Sequence, residues 1–261
     1  MSLFVFLFGL MVGSFLNCVI YRLEKEESFL KGRSYCPRCK HKLGLLDLIP
    51  VLSFMWLRGR CRYCHEKISV QYPLVEIATG LLFLLTYKLQ PTTYNFIIVP
   101  FMVAIFVYDL KHYIIPDKVL FPAIGITAVY RIFEFGILDF ENLNLFRISD
   151  FGFRIFGGYL LAAIIASGFF LVIFLISKGR WMGFGDVKLA VLMGLLLGVN
   201  NVLAALFLAF FFGAIISIIL IVLREKKLKS EIPFGPFLII GTFMAMFWGQ
   251  QIISWYFNMF I

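Results

Sequence analysis

Four cysteines and two aspartates are the residues of this sequence whose types and spacing could do chemistry. Cys36-Pro-Arg-Cys39 and Cys61-Arg-Tyr-Cys64 are two CxxC pairs within one basic stretch. Each pair can fold into a tight knuckle, and two knuckles together offer four thiolates in tetrahedral array. Four thiolates leave no position open for water, so the ion expected there is a structural Zn2+. His41 and His65 adjoin the pairs and are expected to be solvated or hydrogen-bonded rather than ligating. Cys18, the fifth cysteine, sits in an apolar run and reads as a small packing residue.

The aspartates are Asp109, in VYDLKHYIIPD, and Asp186, in GFGDVKLAVLMGLLLG. A carboxylate beside a membrane is costly, so each needs a reason. Helix capping is the plain one: Asp117 follows Pro116 where a helix should begin, and Asp186 could cap as well, with Lys188 nearby. A pair offers more. Two carboxyls in contact can share one proton, so that one acts as an acid on a scissile carbonyl while the other takes a proton from water. Neither a Ser–His pairing nor an HExxH motif is evident near them. Gly183 and Gly185 would let the backbone bend and a substrate strand come close. Pro116 disfavours helix at Ile115, which implies a tight break that exposes Asp109. Asp186 opens a helix and Asp109 closes one, so the helix dipoles suggest Asp186 as the resting base and Asp109 as the resting acid.

The elements that must position these groups are membrane helices. Of 261 residues 61% are hydrophobic and only 15% charged, and the mean hydropathy is +0.93. These values exclude an ordinary soluble domain. Windows of spanning length fall at 2–21, 73–89, 94–112, 117–135, 154–177, 187–200, 202–223 and 235–258, with a break expected at Asn200–Asn201. The fold expected is an all-α polytopic integral membrane protein of about eight transmembrane helices with a cytoplasmic zinc-stapled loop. The first window lacks a preceding Lys or Arg and a small-residue cleavage site, so it is expected to be retained. Gly125, Gly157, Gly158, Gly168, Gly194, Gly198 and Gly213 would permit close helix contacts.

The net charge of +9 reads as positive charge kept at the cytoplasmic face, not as nucleic-acid binding. If the 22–72 loop is cytoplasmic, the N-terminus is outside, and every Lys and Arg except Lys88, Arg131, Arg147 and Arg154 lies inside. That topology brings Asp109 and Asp186 to one face. Glu76, Asn17 and Arg22 fall near the same face, where Glu76 either meets a substrate or methyl donor or pairs with an arginine. The stretch 136–153, with Asp139, Glu141 and Asp150, carries no chemical signal.

Six ordered blocks then carry a resemblance across essentially the whole chain. GSFLNCVIYR (13–22), CPRC with CRYC, and LRGRCRYCHEKISVQYPLVEIATG (57–80) are similar to the N-terminal half of the bacterial type IV prepilin peptidases. DLKHYIIPD (109–117), GFGDVKLAVLMGLLLG (183–198) and IPFGPFLIIG (232–241) resemble the catalytic half of these GxGD-type aspartyl proteases. The resemblance implies a bifunctional membrane enzyme. Such enzymes cleave the basic leader of type IV prepilins or pseudopilins and N-methylate the new N-terminal residue from S-adenosylmethionine. The implied catalytic pair is Asp109 and Asp186, with Asp117 supporting, and the implied zinc ligands are Cys36, Cys39, Cys61 and Cys64. The implied division is 1–21 as first helix, 22–72 as zinc-binding, methyltransferase-associated loop, and 73–261 as peptidase core. No glycine-rich dinucleotide-type loop marks a methyl-donor pocket. An ion-coupled transporter would call for charges near the midplane and a repeated half, which are not found. A non-enzymatic zinc-ribbon scaffold would leave the aspartates dispensable.

Overall fold

The computed structural model describes residues 1–28, 32–134, 150–223 and 232–260. Lys31, Asp139, Glu141, Arg147, Arg224, Lys226, Lys227 and Lys229 lie outside these residues, as do the side chains of Asp150 and Arg154. The chain is helical: α1 Ser2–Glu24, α2 Leu52–Trp56, α3 Gln71–Leu89, α4 Thr93–His112, α5 Asp117–Glu134, α6 Asp150–Ser177, α7 Phe184–Val222 and α8 Gly235–Phe260. Among the described residues there is no strand, only two isolated bridges, Tyr35–Lys42 and Arg60–Lys67. Among the described residues six helices (α1, α3, α4, α6, α7 and α8) are long and apolar enough to cross a membrane. This is a multi-pass membrane protein. α5 carries Asp117, Lys118, Arg131 and Glu134 in its 18 residues and is too charged to join that set.

The chain forms two compact units, Met1–Val107 and Tyr108–Ile261, so the expected boundary at 72/73 lies inside the first. In the first unit α1 packs on α3 through small residues. A Cβ at Gly9 would stand 2.8 Å from the Gly80 Cα, and one at Gly13 would stand 2.7 Å from the Glu76 Cα. Only hydrogen at those Cα positions lets the two backbones approach this closely.

In the second unit α7 packs against α5, α6 and α8. Gly194 of α7 lies on the backbone of Ala162 and Ala163 in α6, and Gly241 of α8 on Ala205. α7 kinks at Gly198, where φ is 72° and ψ is 176°. The sixth and seventh expected windows are thus two arms of one bent helix. Its break falls at Gly198 instead of Asn200–Asn201, because glycine takes a positive φ without steric cost. The kink frees carbonyls at the end of the first arm, and a buried arginine takes them. Arg131 of α5 donates from Nε to Leu195 O (3.1 Å) and from Nη2 to Leu196 O (2.6 Å). Its guanidinium also lies over the Tyr159 ring at 4.0 Å.

The glycine expectation needs correction. Among the described residues nothing lies within 4 Å of a Cβ built at Gly125, Gly157, Gly158 or Gly168, and Gly213 is in ordinary contact. Of the expected set Gly194 and Gly198 do serve close approach, and Gly9, Gly13, Gly80 and Gly241 serve it as well. Composition alone does not reveal which side of a helix a glycine occupies.

Candidate functional site

Asp109 sits in the last turn of α4, and Asp186 in the first turn of α7, three residues after Gly183 at its start. Both are buried, 3% and 7% exposed, and both line one open cavity of about 490 Å3. α4 ends because Tyr113 takes a positive φ of 58° and Pro116 cannot continue it. The Pro116 carbonyl then accepts from Val119 and Leu120 to start α5. Ile115, between these breaks, packs inward at 3.1 Å from a Cβ placed on Gly185. That contact is what Gly185 permits. Gly183 has an ordinary extended φ of −77°, and a Cβ there would meet nothing nearer than the Gly185 nitrogen at 3.9 Å. Its lack of a side chain leaves the cavity wall open beside Asp186.

The capping readings resolve against each other. Lys188, two residues beyond Asp186, donates to both oxygens of Asp117 at 2.7 and 2.8 Å. Asp117 is therefore an ion-pair partner at the start of α5, and Lys188 is committed to it. Among the described residues no lysine or arginine forms an ion pair with Asp109 or Asp186. Backbone groups face them instead: Gly183 at Asp186, and Gly235 at Asp109. Gly235 opens α8, and a Cβ there would run into the Asp109 Oδ2. Ile232, Pro233 and Phe234, just before α8, line the cavity as a further wall that the sequence did not announce.

The four cysteines also come together. The Sγ atoms of Cys36, Cys39, Cys61 and Cys64 all lie within 4.8 Å of one another. The two knuckles repeat one pattern. Cys36 N donates to His41 O and Cys61 N to Glu66 O, each at 2.9 Å, and Lys40 and His65 follow the second cysteines with positive φ. A tetrahedral ion at about 2.3 Å from each sulfur needs sulfurs roughly 3.8 Å apart. The Cys36–Cys64 separation is 3.9 Å, so this donor set fits a metal ion. His41 does not join it: its ring stacks on Tyr63 at 3.7 Å.

Two family models match the chain, the bacterial peptidase A24 N-terminal domain over residues 7–89 and the type IV leader peptidase family over residues 96–218. The chain is 34% identical to the prepilin leader peptidase/N-methyltransferase of Aeromonas hydrophila, over 98% of this chain and 94% of that one. It belongs to the type IV leader peptidase family. Proteins of the same description from Legionella pneumophila (31% identical, 98% and 94% covered) and Bacillus subtilis strain 168 (29%, 98% and 97%) are also similar. No solved structure matches this chain.

In this family member the polar residues of the first unit serve as anchors. Glu76, 7% exposed, accepts from the Val51 backbone N–H at 2.7 Å and from the Ser14 side chain, rather than pairing with an arginine. Asn17 donates to Tyr72 O at 3.0 Å. Arg22 donates to the carbonyls of Ser28, Gly32 and Arg33 at 3.1–3.2 Å. Asp47, which the sequence reading passed over, ties the inter-knuckle segment to the second knuckle. It accepts from Gly44 N (3.0 Å), Tyr63 OH (3.0 Å) and Arg62 Nε (2.7 Å). Burial alone would raise the Asp47 carboxyl, but these three donors outweigh it and hold it below the usual carboxylate range.

Proposed function

We propose that this protein is a leader peptidase for type IV prepilins or pseudopilins, acting as an aspartyl endopeptidase that activates water with Asp109 and Asp186. One observation carries the reading: two buried carboxyls, without a cationic partner among the described residues, line one open cavity. The names of its relatives supply the substrate class. The pair would hold one proton between them. The carboxylate takes a proton from water as the oxygen attacks the scissile carbonyl carbon. The carboxylic acid gives its proton to the carbonyl oxygen, which leaves a tetrahedral diol. Return of a proton to the amide nitrogen breaks the C–N bond and frees the new N-terminal amine. The Gly235 backbone faces Asp109, while the Asp117–Lys188 pair joins the starts of α5 and α7 beside Asp186.

The orientation expected from basic residues supports cleavage at the cytoplasmic face of the inner membrane, with the N-terminus outside. A basic leader held in the cytoplasm, followed by an apolar substrate helix, would present its junction there. Zn2+ would be held by Cys36, Cys39, Cys61 and Cys64 and supply rigidity to the lobe, with no open position for reaction. The relatives' names also support N-methylation of the freed amine, with S-adenosylmethionine providing the methyl group. Among the described residues no glycine-rich cradle for that donor is present, and no side chain is assigned to it.

The test is intact mass of a prepilin incubated with the purified protein and S-adenosylmethionine in lipid. The expected product lacks the leader and carries one added methyl mass. A substrate mass unchanged under these conditions contradicts the reading.

A further inference from the structure

The segment between the two knuckles, LGLLDLIPVLSFMW (43–56), is as apolar as a membrane span but far too short to cross one. It is also turned inside out. Its one acid, Asp47, is tied inward to Gly44, Arg62 and Tyr63, while its large apolar side chains point away from the fold. Leu45 is 84% exposed and Trp56 89%, and Leu46, Leu52 and Met55 are exposed as well. A contiguous apolar face of this kind marks a surface that something covers.

The anchorage of the segment says what covers it. Val51, immediately before α2, is bonded through its N–H to the Glu76 carboxylate. Glu76 lies in the second turn of α3, five residues in from Gln71, which is roughly 8 Å along the helix axis. α3 is one of the helices long and apolar enough to cross the bilayer, and its own Leu74 and Ile77 are exposed around that turn. α2 is therefore held alongside a spanning helix at about the depth, 5–10 Å, where interfacial helices bury their apolar face. Tryptophan favours that layer. Arg58 and Arg60, both exposed, come two and four residues after Trp56 and suit lipid phosphates.

We infer that residues 45–56 are an interfacial membrane anchor whose partner is the anionic phospholipid surface of the bilayer that α1 and α3 cross. Leu52, Met55 and Trp56 enter the boundary between headgroups and acyl chains. Arg58 and Arg60 meet phosphates. The cysteine lobe is thereby held down on the membrane at a third point, besides the ends of α1 and α3. This inference rests on the membrane helices and the Glu76–Val51 bond, and it stands whether or not the aspartates are catalytic.

Quenching by brominated lipids tests it. The full-length, zinc-loaded protein is reconstituted in phosphatidylcholine–phosphatidylglycerol vesicles that are unbrominated, brominated near the headgroup, or brominated near the chain ends. The Trp56 signal is the wild-type emission minus that of Trp56→Phe. Shallow bromines should lower it about twofold, and deep bromines distinctly less, as befits an interfacial residue. An equal Trp56 signal in all three vesicles overturns the proposal and leaves a protein partner as the occupant. A second variant, Leu52→Gln with Met55→Gln, keeps the tryptophan as reporter. Loss of shallow quenching at unchanged zinc content supports the anchor, and unchanged quenching overturns it.

Discussion

In the cysteine lobe each half of the site is made by its own neighbours: Cys36 bonds back to His41, Cys61 to Glu66, and a left-handed residue closes each knuckle. In the aspartate cavity nothing is local. Asp109 arrives on α4, Asp186 on α7, the Gly235 backbone on α8, and Asp117 and Lys188 from α5 and α7 close the edge. The first design sets four sulfurs where one metal ion could join its halves. The second is held by helix packing, with glycines where backbone and carboxyl must share space. The two sites should therefore fail in different ways.

The largest effect separates them at once. Cys61→Ser should remove the bound metal and unfold the lobe, since structural zinc contributes on the order of 10 kcal/mol to small metal-stapled folds. Elemental analysis should find zinc lost, with residues 32–70 opened to protease. The helices of the second unit, whose packing uses no thiolate, should keep their helical circular dichroism. Gly235→Ala is the reverse experiment. Its methyl group displaces the Asp109 carboxyl and should cost about 100-fold in kcat/KM for leader cleavage, at unchanged zinc content. Gly185→Ala, opposed only by the Ile115 side chain at 3.1 Å, should cost less.

Smaller effects sharpen the contrast. Arg131→Met strands the carbonyls of Leu195 and Leu196 at the α7 kink and should cost about 3 kcal/mol of stability, read as a lower Tm in one fixed detergent. Arg131→Lys should recover only part of it, since an ammonium lacks the fork that reaches both carbonyls. Asp47→Asn should weaken the lobe by about 1 kcal/mol at neutral pH. Because its folded carboxyl lies below the ordinary value, the stabilisation is full above that value and is lost as pH falls through the folded one. The difference from wild type in proteolysis of the lobe should thus be flat from about pH 8 to 5 and fade only below about pH 3.9.

The same contrast explains what the sequence made legible. CPRC and CRYC announce their geometry because the ligands of each knuckle are three residues apart, and the apolar windows announce helices because burial in lipid is a property of each stretch alone. Asp109 and Asp186 stood out through topology and through resemblance to a family. Asp117 looked like a cap because its true partner, Lys188, lies on another helix. Gly235, Arg131 and Asp47 went unassigned for the same reason: each matters through atoms of another segment. Gly198 was read only as a contact residue, which it is against Tyr159, and its kink was missed because a positive φ leaves no trace in composition.

The central claim is that Asp109 and Asp186 act as one unit. Its most direct test is the cleavage rate of wild type beside Asp109→Asn, Asp186→Asn and the double variant, on one prepilin in one lipid, with zinc content as a check on folding. Each single variant is expected to lose about 10²–10⁴-fold or more, and the double variant to be no worse than either, as a pair sharing one proton requires. Near-normal cleavage by either single variant, or losses that multiply in the double, would contradict the dyad.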